Sequence, residues 1–383
     1  MKKILFILLV VLMLPVTFVS AQEASESAIA ETEEITSLYN YINNMSLEEE
    51  MLNSLDIKEY IEFYLKNGTG NITFGNILKI ISSLAVRELI SFIKLAVMIM
   101  IVAVVAALVK NLQSAFSNGS ISNVAYYACY ALLVIILSKS FIISVDIAKE
   151  TISRMSNFML ALVPVLLALL ATVGGVVQAA TMDPIIITVI NLCPKIYRDI
   201  IIPLILASFA LQFANNISEE RKISGLCKLM RQGVIWMQGF MITLVIGILT
   251  VRSAATNTLD AVTLKTAKFA VDNFIPIVGK AMSDAISTVA GYSLILKNAI
   301  GALGLVITIL IVITPIIKIF LCAMVYKLTA AFIEPISDSR IVSCIATAGD
   351  SLILIMSTVI SISVMFFIMI SIIASAGKFV ISG

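Results

Sequence analysis

The chain contains no histidine. That absence removes a histidine-ligated metal, a Ser-His or Cys-His nucleophile and an imidazole acid or base. Charge is scarce as well: 13% of the residues are charged, against about a quarter in an ordinary soluble domain. The five cysteines (Cys129, Cys193, Cys227, Cys322 and Cys344) are scattered, with no C-x-x-C among them. They read as small apolar residues in or near membrane spans, and none falls in the N-terminal region where a disulfide could form. There is no G-x-S-x-G, no H-E-x-x-H and no P-loop pattern, which leaves an intramembrane hydrolase without machinery. Asp146, Asp183 and Asp350 stand singly at the ends of apolar runs, as solvated boundary residues do. A net charge of +2 with no basic run gives nucleic acid nothing to bind, and no cofactor motif is present.

What remains is oil. Hydrophobic residues make up 60% of the 383, and the mean hydropathy is +1.05. The expected fold class is an all-α polytopic membrane protein with six to eight membrane-embedded helices. Met1–Ala21 reads as a secretory signal peptide: Lys2 and Lys3 form the positive end, Ile4 to Leu14 the apolar core, and Val19-Ser20-Ala21 the cleavage site. Cleavage after Ala21 is favoured over an uncleaved anchor, and both place the following chain outside the cytoplasm. Residues 22–88 form an acidic extracytoplasmic region with amphipathic helices. One starts at the Ser46/Glu49 capping box, and another, with Phe74, Ile77, Leu78 and Ile81 on one face, lies on the membrane surface.

A first membrane block covers residues 89–255. Its spans are expected at Ile90–Val109, where Lys94 can snorkel, at Ile121–Ile143, with Tyr126, Tyr127 and Tyr130 as an interfacial belt, and at Phe158–Ala180. Pro184–Phe213 fits either a kinked helix or a re-entrant hairpin around Pro194-Lys195 and the membrane-depth charges Arg198 and Asp199. The hairpin is favoured, because it leaves the next loop, with Arg221, Lys222, Lys228 and Arg231, in the cytoplasm. Gly233–Val251 then crosses outward. In the second block, residues 293–383, Ala299–Phe332 offers two short spans or a hairpin around Thr314-Pro315, and Ser351–Ala374 one last span.

Between the blocks, residues 256–292 are the most function-like stretch. Leu264, Ala267, Val271 and Phe274 fall on one helical face, and Lys265, Lys268 and Asp272 on another. Pro276 interrupts, and a second two-faced segment sets Lys280 and Asp284 against Val278 and Met282. These five charges are the candidate polar face of two central amphipathic helices; an exposed loop helix with ordinary charges is the plain alternative. Pro164, Pro203, Pro276 and Pro315 are candidate helix breaks. Their paired spacing, with Val163-Pro164-Val165 resembling Ile275-Pro276-Ile277, hints at a parallel internal repeat of the kind found in transporters.

Thr263-Leu264-Lys265-Thr266-Ala267-Lys268-Phe269, Asn273-Phe274-Ile275-Pro276-Ile277-Val278-Gly279-Lys280 and Leu296-Lys297-Asn298-Ala299-Ile300-Gly301 resemble the stage III sporulation protein AE family. Further matches are Asn111-Leu112-Gln113-Ser114-Ala115-Phe116, the Gly174-Gly175 region, and Tyr326-Lys327-Leu328 with Ala330-Ala331. The resemblance implies a mother-cell membrane subunit of an envelope-spanning channel or secretion-like complex in an endospore-forming bacterium. Its implied partners are other membrane subunits of that complex and a forespore membrane protein across the intermembrane space. The family supplies no catalytic residues. A secondary transporter of a small solute, using Arg198-Asp199 and the proline breaks, is the competing reading.

Overall fold

The computed structural model of the protein describes residues 74–115, 119–217, 223–274 and 279–377, with isolated positions between Leu38 and Tyr64. The signal segment, the capping box at Ser46 and Pro276 lie outside the described residues. Seven α-helices carry the rest: α1 (Phe74–Ala115), α2 (Gly119–Thr172), α3 (Val176–Ile196), α4 (Ile202–Ile217), α5 (Ser224–Phe274), α6 (Gly279–Ile333) and α7 (Ser339–Ser375). A π-helical turn, Tyr197–Ile201, joins α3 to α4 without a break. There is no strand among the described residues.

Among the described residues, six stretches are long and apolar enough to cross a membrane: Glu88–Val109, Val124–Thr172, Val176–Asn215, Ser224–Thr256, Ser287–Ile333 and Ser339–Ser375. The protein is therefore an all-α membrane bundle at the low end of the expected span number. α7 is its core. Leu352, Ile355, Val359, Ile362, Phe366 and Ile373 are buried at three- and four-residue spacing, and α7 packs against α2, α4, α5 and α6.

Several expectations are corrected. The two spans foreseen at Ile121–Ile143 and Phe158–Ala180 are one helix up to Thr172. The charged stretch between them does not break the helix, because Phe141, Val145, Ala148, Ile152, Met155 and Met159 continue a buried stripe through it. Glu150 and Arg154 pair one turn apart at 2.7 Å on the outer face. The helix ends instead at Gly174, whose φ of 100° favours glycine. Pro164 and Pro315 lie inside α2 and α6, and Pro203 lies near the start of α4, so none of the three is a break.

Pro184–Phe213 is likewise a single helical path and no hairpin. Pro203 has no N–H for the carbonyl of Asp199, so regular α bonding cannot continue there. The chain widens to a π turn just before it, in which the Ile202 N–H reaches back to the carbonyl of Tyr197. Ala299–Phe332 is continuous within α6, and the surface helix expected near Phe74 is the first part of α1. Of the three tyrosines expected in an interfacial belt, Tyr127 is exposed, while Tyr126 and Tyr130 are buried.

The bundle has two ends. The basic end gathers the C-termini of α1 and α4, the starts of α2 and α5, and the α6–α7 turn at 334–338; there Tyr130 donates to the Phe213 carbonyl (3.2 Å), and Asp338 caps α7 through the Arg340 N–H (2.7 Å). The hairpin end gathers the α2–α3 turn, the C-terminus of α5, the start of α6 and the C-terminus of α7.

Candidate functional site

The central stretch is not a pair of separate helices. Its first half is the last part of α5 and its second half the first part of α6, so the two form the tip of an α-hairpin continuous with two spans. Just beyond the α5 span, Ser253, Thr256 and Asp260 share one helical face. Asp260 is fully buried, and its carboxylate accepts the backbone N–H groups of Val177 (2.9 Å) and Gln178 (3.0 Å).

Those N–H groups open α3, where the first turn has no partners of its own. Gly175 holds the cap position and has no side chain to offer. A Cβ there would lie 2.7 Å from Leu170, so the tight turn excludes an ordinary capping residue. Asp260 supplies the cap from a different helix, with its negative charge on the positive end of the α3 dipole. Gln178, also fully buried, donates to Ser253 (3.1 Å) and ties the same two helices again.

A mirror arrangement holds the other arm of the hairpin. Lys297 of α6 is fully buried, and its ammonium donates to the carbonyls of Ile373 (3.4 Å) and Ala376 at the C-terminus of α7. A cation there answers the negative end of the dipole. One turn on, a Cβ at Gly301 would lie 2.7 Å from the Ala374 side chain, so α6 and α7 meet at close range. Sequence reasoning quoted Lys297 and Gly301 as part of a family pattern and missed Asp260 altogether. The i, i+3, i+7 spacing of Ser253, Thr256 and Asp260 was the available signal for it.

Of the five candidate charges on the hairpin, Lys265 is exposed, beside Val262 (61% exposed) and Phe269 (64%). Lys268 and Asp272 lie on α5, and Lys280 and Asp284 on α6, but their side chains are outside the described residues. Arg198 and Asp199 form an ion pair on the π turn at 3.1 Å, both nearly half exposed on the outside of the bundle. Nearer the basic end, Asp350 of α7 bridges Arg231 of α5 (3.3 Å) and Lys327 of α6 (2.5 Å). Among the described residues, no group of three His, Cys, Asp or Glu side chains could hold a metal ion.

The chain matches the family described as Stage III sporulation protein AE over residues 55–377, which leaves out the first part of the acidic N-terminal region. It is 35% identical over 312 residues to the Stage III sporulation protein AE of Bacillus subtilis (strain 168), covering 82% of this chain and 78% of that protein. No solved structure matches it.

Proposed function

The chain belongs to the stage III sporulation protein AE family, and from that premise we propose that it is a non-enzymatic subunit of a channel or secretion-like complex in the mother-cell membrane around the forespore. The acidic N-terminal region, the α5–α6 hairpin and the C-terminus of α7 then face the intermembrane space. Three crossings by α1, α2 and α3–α4 bring the basic loop around Arg221 and Lys222 to the cytoplasm, as the positive-inside rule asks. Other membrane subunits of the complex and a forespore membrane protein are the partners of this reading.

The observation that carries it is the anchored hairpin. Its two arms are continuous with two spans and are tied to the starts and ends of neighbouring helices by Asp260 and Lys297, which fixes where the hairpin leaves the bundle toward a partner. Charge reversal at Lys268, Asp272 and Lys280 tests it. Each variant is expected to insert normally but to lower co-purification with the other subunits and to cut spore yield at least tenfold. Normal assembly and sporulation in all three variants would refute the reading.

The π turn favours a second reading as a permease for a small solute. Such turns recur at functional sites, and this one carries an ion pair within an apolar helix. Uptake of labelled small solutes into liposomes bearing the purified protein, lost on Asp199→Asn, would select transport; absence of uptake across the panel leaves the scaffold.

A further inference from the structure

Three helices meet at Asp350 of α7. One oxygen of its carboxylate takes Arg231 of α5 (3.3 Å) and the other takes Lys327 of α6 (2.5 Å). One carboxylate against two cations leaves a surplus positive charge, and Lys228, exposed one turn before Arg231 on α5, adds another. Among the described residues, none of these three cations pairs with a second carboxylate.

The cluster does not sit at the very end of the bundle. Arg231 lies two turns into α5 from Ser224, and Lys327 lies two turns short of the end of α6 at Ile333, about 10 Å of helix in each case. Exposed apolar side chains continue on both sides of it. On α5 they are Leu229 toward the basic end and Ile235 and Trp236 away from it; on α6 they are Leu328, then Met324 and Phe320. The charges are therefore set within the membrane-facing surface, near its edge. Where water is scarce, a surplus cation draws an anion more strongly than it would on an open surface. The side chains of Arg231 (42% exposed) and Lys327 (41%) both reach outward to meet one.

Between the two helices runs a furrow. α7 is enclosed on most sides, but Ser343, Thr347, Asp350, Ile353 and Ser357 recur at three- and four-residue spacing and stay partly exposed. Asp350 bonds α5 on one hand and α6 on the other, so this stripe is the floor between them. Ser357 continues it by donating to Gln238 of α5 (3.1 Å). The lysine stem lies against the same floor. A Cβ at Gly349 would come 3.1 Å from Cγ of Lys327, so a side chain there would press on that stem.

We propose that this furrow binds an anionic phospholipid, with its phosphate on Arg231 and Lys327 and an acyl chain running past Ile235 and Met324. The Arg231 guanidinium keeps donors beyond the one given to Asp350 and can present them to phosphate as a planar pair, while the Lys327 ammonium adds a point contact. Basic pockets between spans select anionic headgroups through such charges. The apolar walls that continue from the cluster assign the phosphate to a lipid, since a free anion would leave them unused. Asp350 holds the two cations together and, by its own charge, limits the affinity. The site rests on these contacts alone and holds for a complex subunit and a permease alike.

Quenching by brominated lipid reads occupancy in the full chain. Trp236→Phe removes the one native tryptophan, and Met324→Trp sets a reporter one turn from Lys327. In phosphatidylcholine bilayers, dibrominated phosphatidylglycerol is expected to bind beside this reporter roughly fivefold more tightly, or better, than dibrominated phosphatidylcholine. Arg231→Gln combined with Lys327→Gln brings the two lipids level. Asp350→Asn, which releases both cations, raises the preference at least twofold, whereas a purely structural cluster would lose stability there without gaining lipid. Equal quenching by the two lipids in the reporter protein, or a preference that survives the double neutralisation, overturns the proposal. So does loss of the preference on adding millimolar inorganic phosphate at constant ionic strength, which would make the occupant a free anion. Where the double variant does not insert, Lys327→Gln and Asp350→Asn decide the matter singly: opposite shifts in preference uphold the site, and no shift in either overturns it.

Discussion

At the scale of single residues, the buried charges are placed where a helix end answers them. Asp260→Ala leaves two buried N–H groups at the start of α3 without an acceptor, a loss of about 1–3 kcal/mol. Lys297→Met keeps most of the volume but leaves the Ile373 and Ala376 carbonyls short of a donor, with a similar cost of about 1–3 kcal/mol. Both variants are expected to lower the melting temperature in detergent and to raise proteolysis at the hairpin end. Wild-type melting for both would mean that water can replace these caps. Asp260 could have been suspected from its spacing with Ser253 and Thr256, but its partner could not. The recipient is a helix start more than 80 residues away whose own cap position is glycine, and no local pattern connects them.

At the scale of elements, hydropathy located every apolar run but misjudged how the runs join. The segment around Asp146–Arg154 looked like a loop because its charges exceed what a span tolerates. The buried stripe from Phe141 to Met159 runs beneath those charges, and a hydropathy window averages the two faces together. The prolines misled in the same direction: a π turn ahead of Pro203 meets its backbone needs, so it does not divide the helix. Lys149→Pro separates the two descriptions of α2. In a continuous helix it deletes the bond to the Val145 carbonyl and clashes with that turn, costing about 3 kcal/mol or more. In a loop between two spans it would be nearly neutral. A large fall in thermal stability is expected, and wild-type melting would restore the loop.

At the scale of the whole molecule, joining those runs changes which face of the membrane each segment meets. Three separate spans up to Ala180 would leave that residue in the cytoplasm. In the proposed placement, with α1 and α2 the crossings before it among the described residues, Ala180 emerges on the side of the N-terminal region, beside the α5–α6 hairpin whose arm caps α3. The caps by Asp260 and Lys297 require this, since α3 begins and α7 ends where the hairpin arms stand. All three features of the hairpin end then face one compartment, which in the proposed complex is the space toward the forespore. Reporter fusions read this directly. Alkaline phosphatase fused after Ala180 or after Gly377 is expected to be active, and fused after Arg221 inactive. Activity after Arg221 together with silence after Ala180 would invert the molecule and leave the hairpin pointing into the cytoplasm, where no partner in another membrane could reach it.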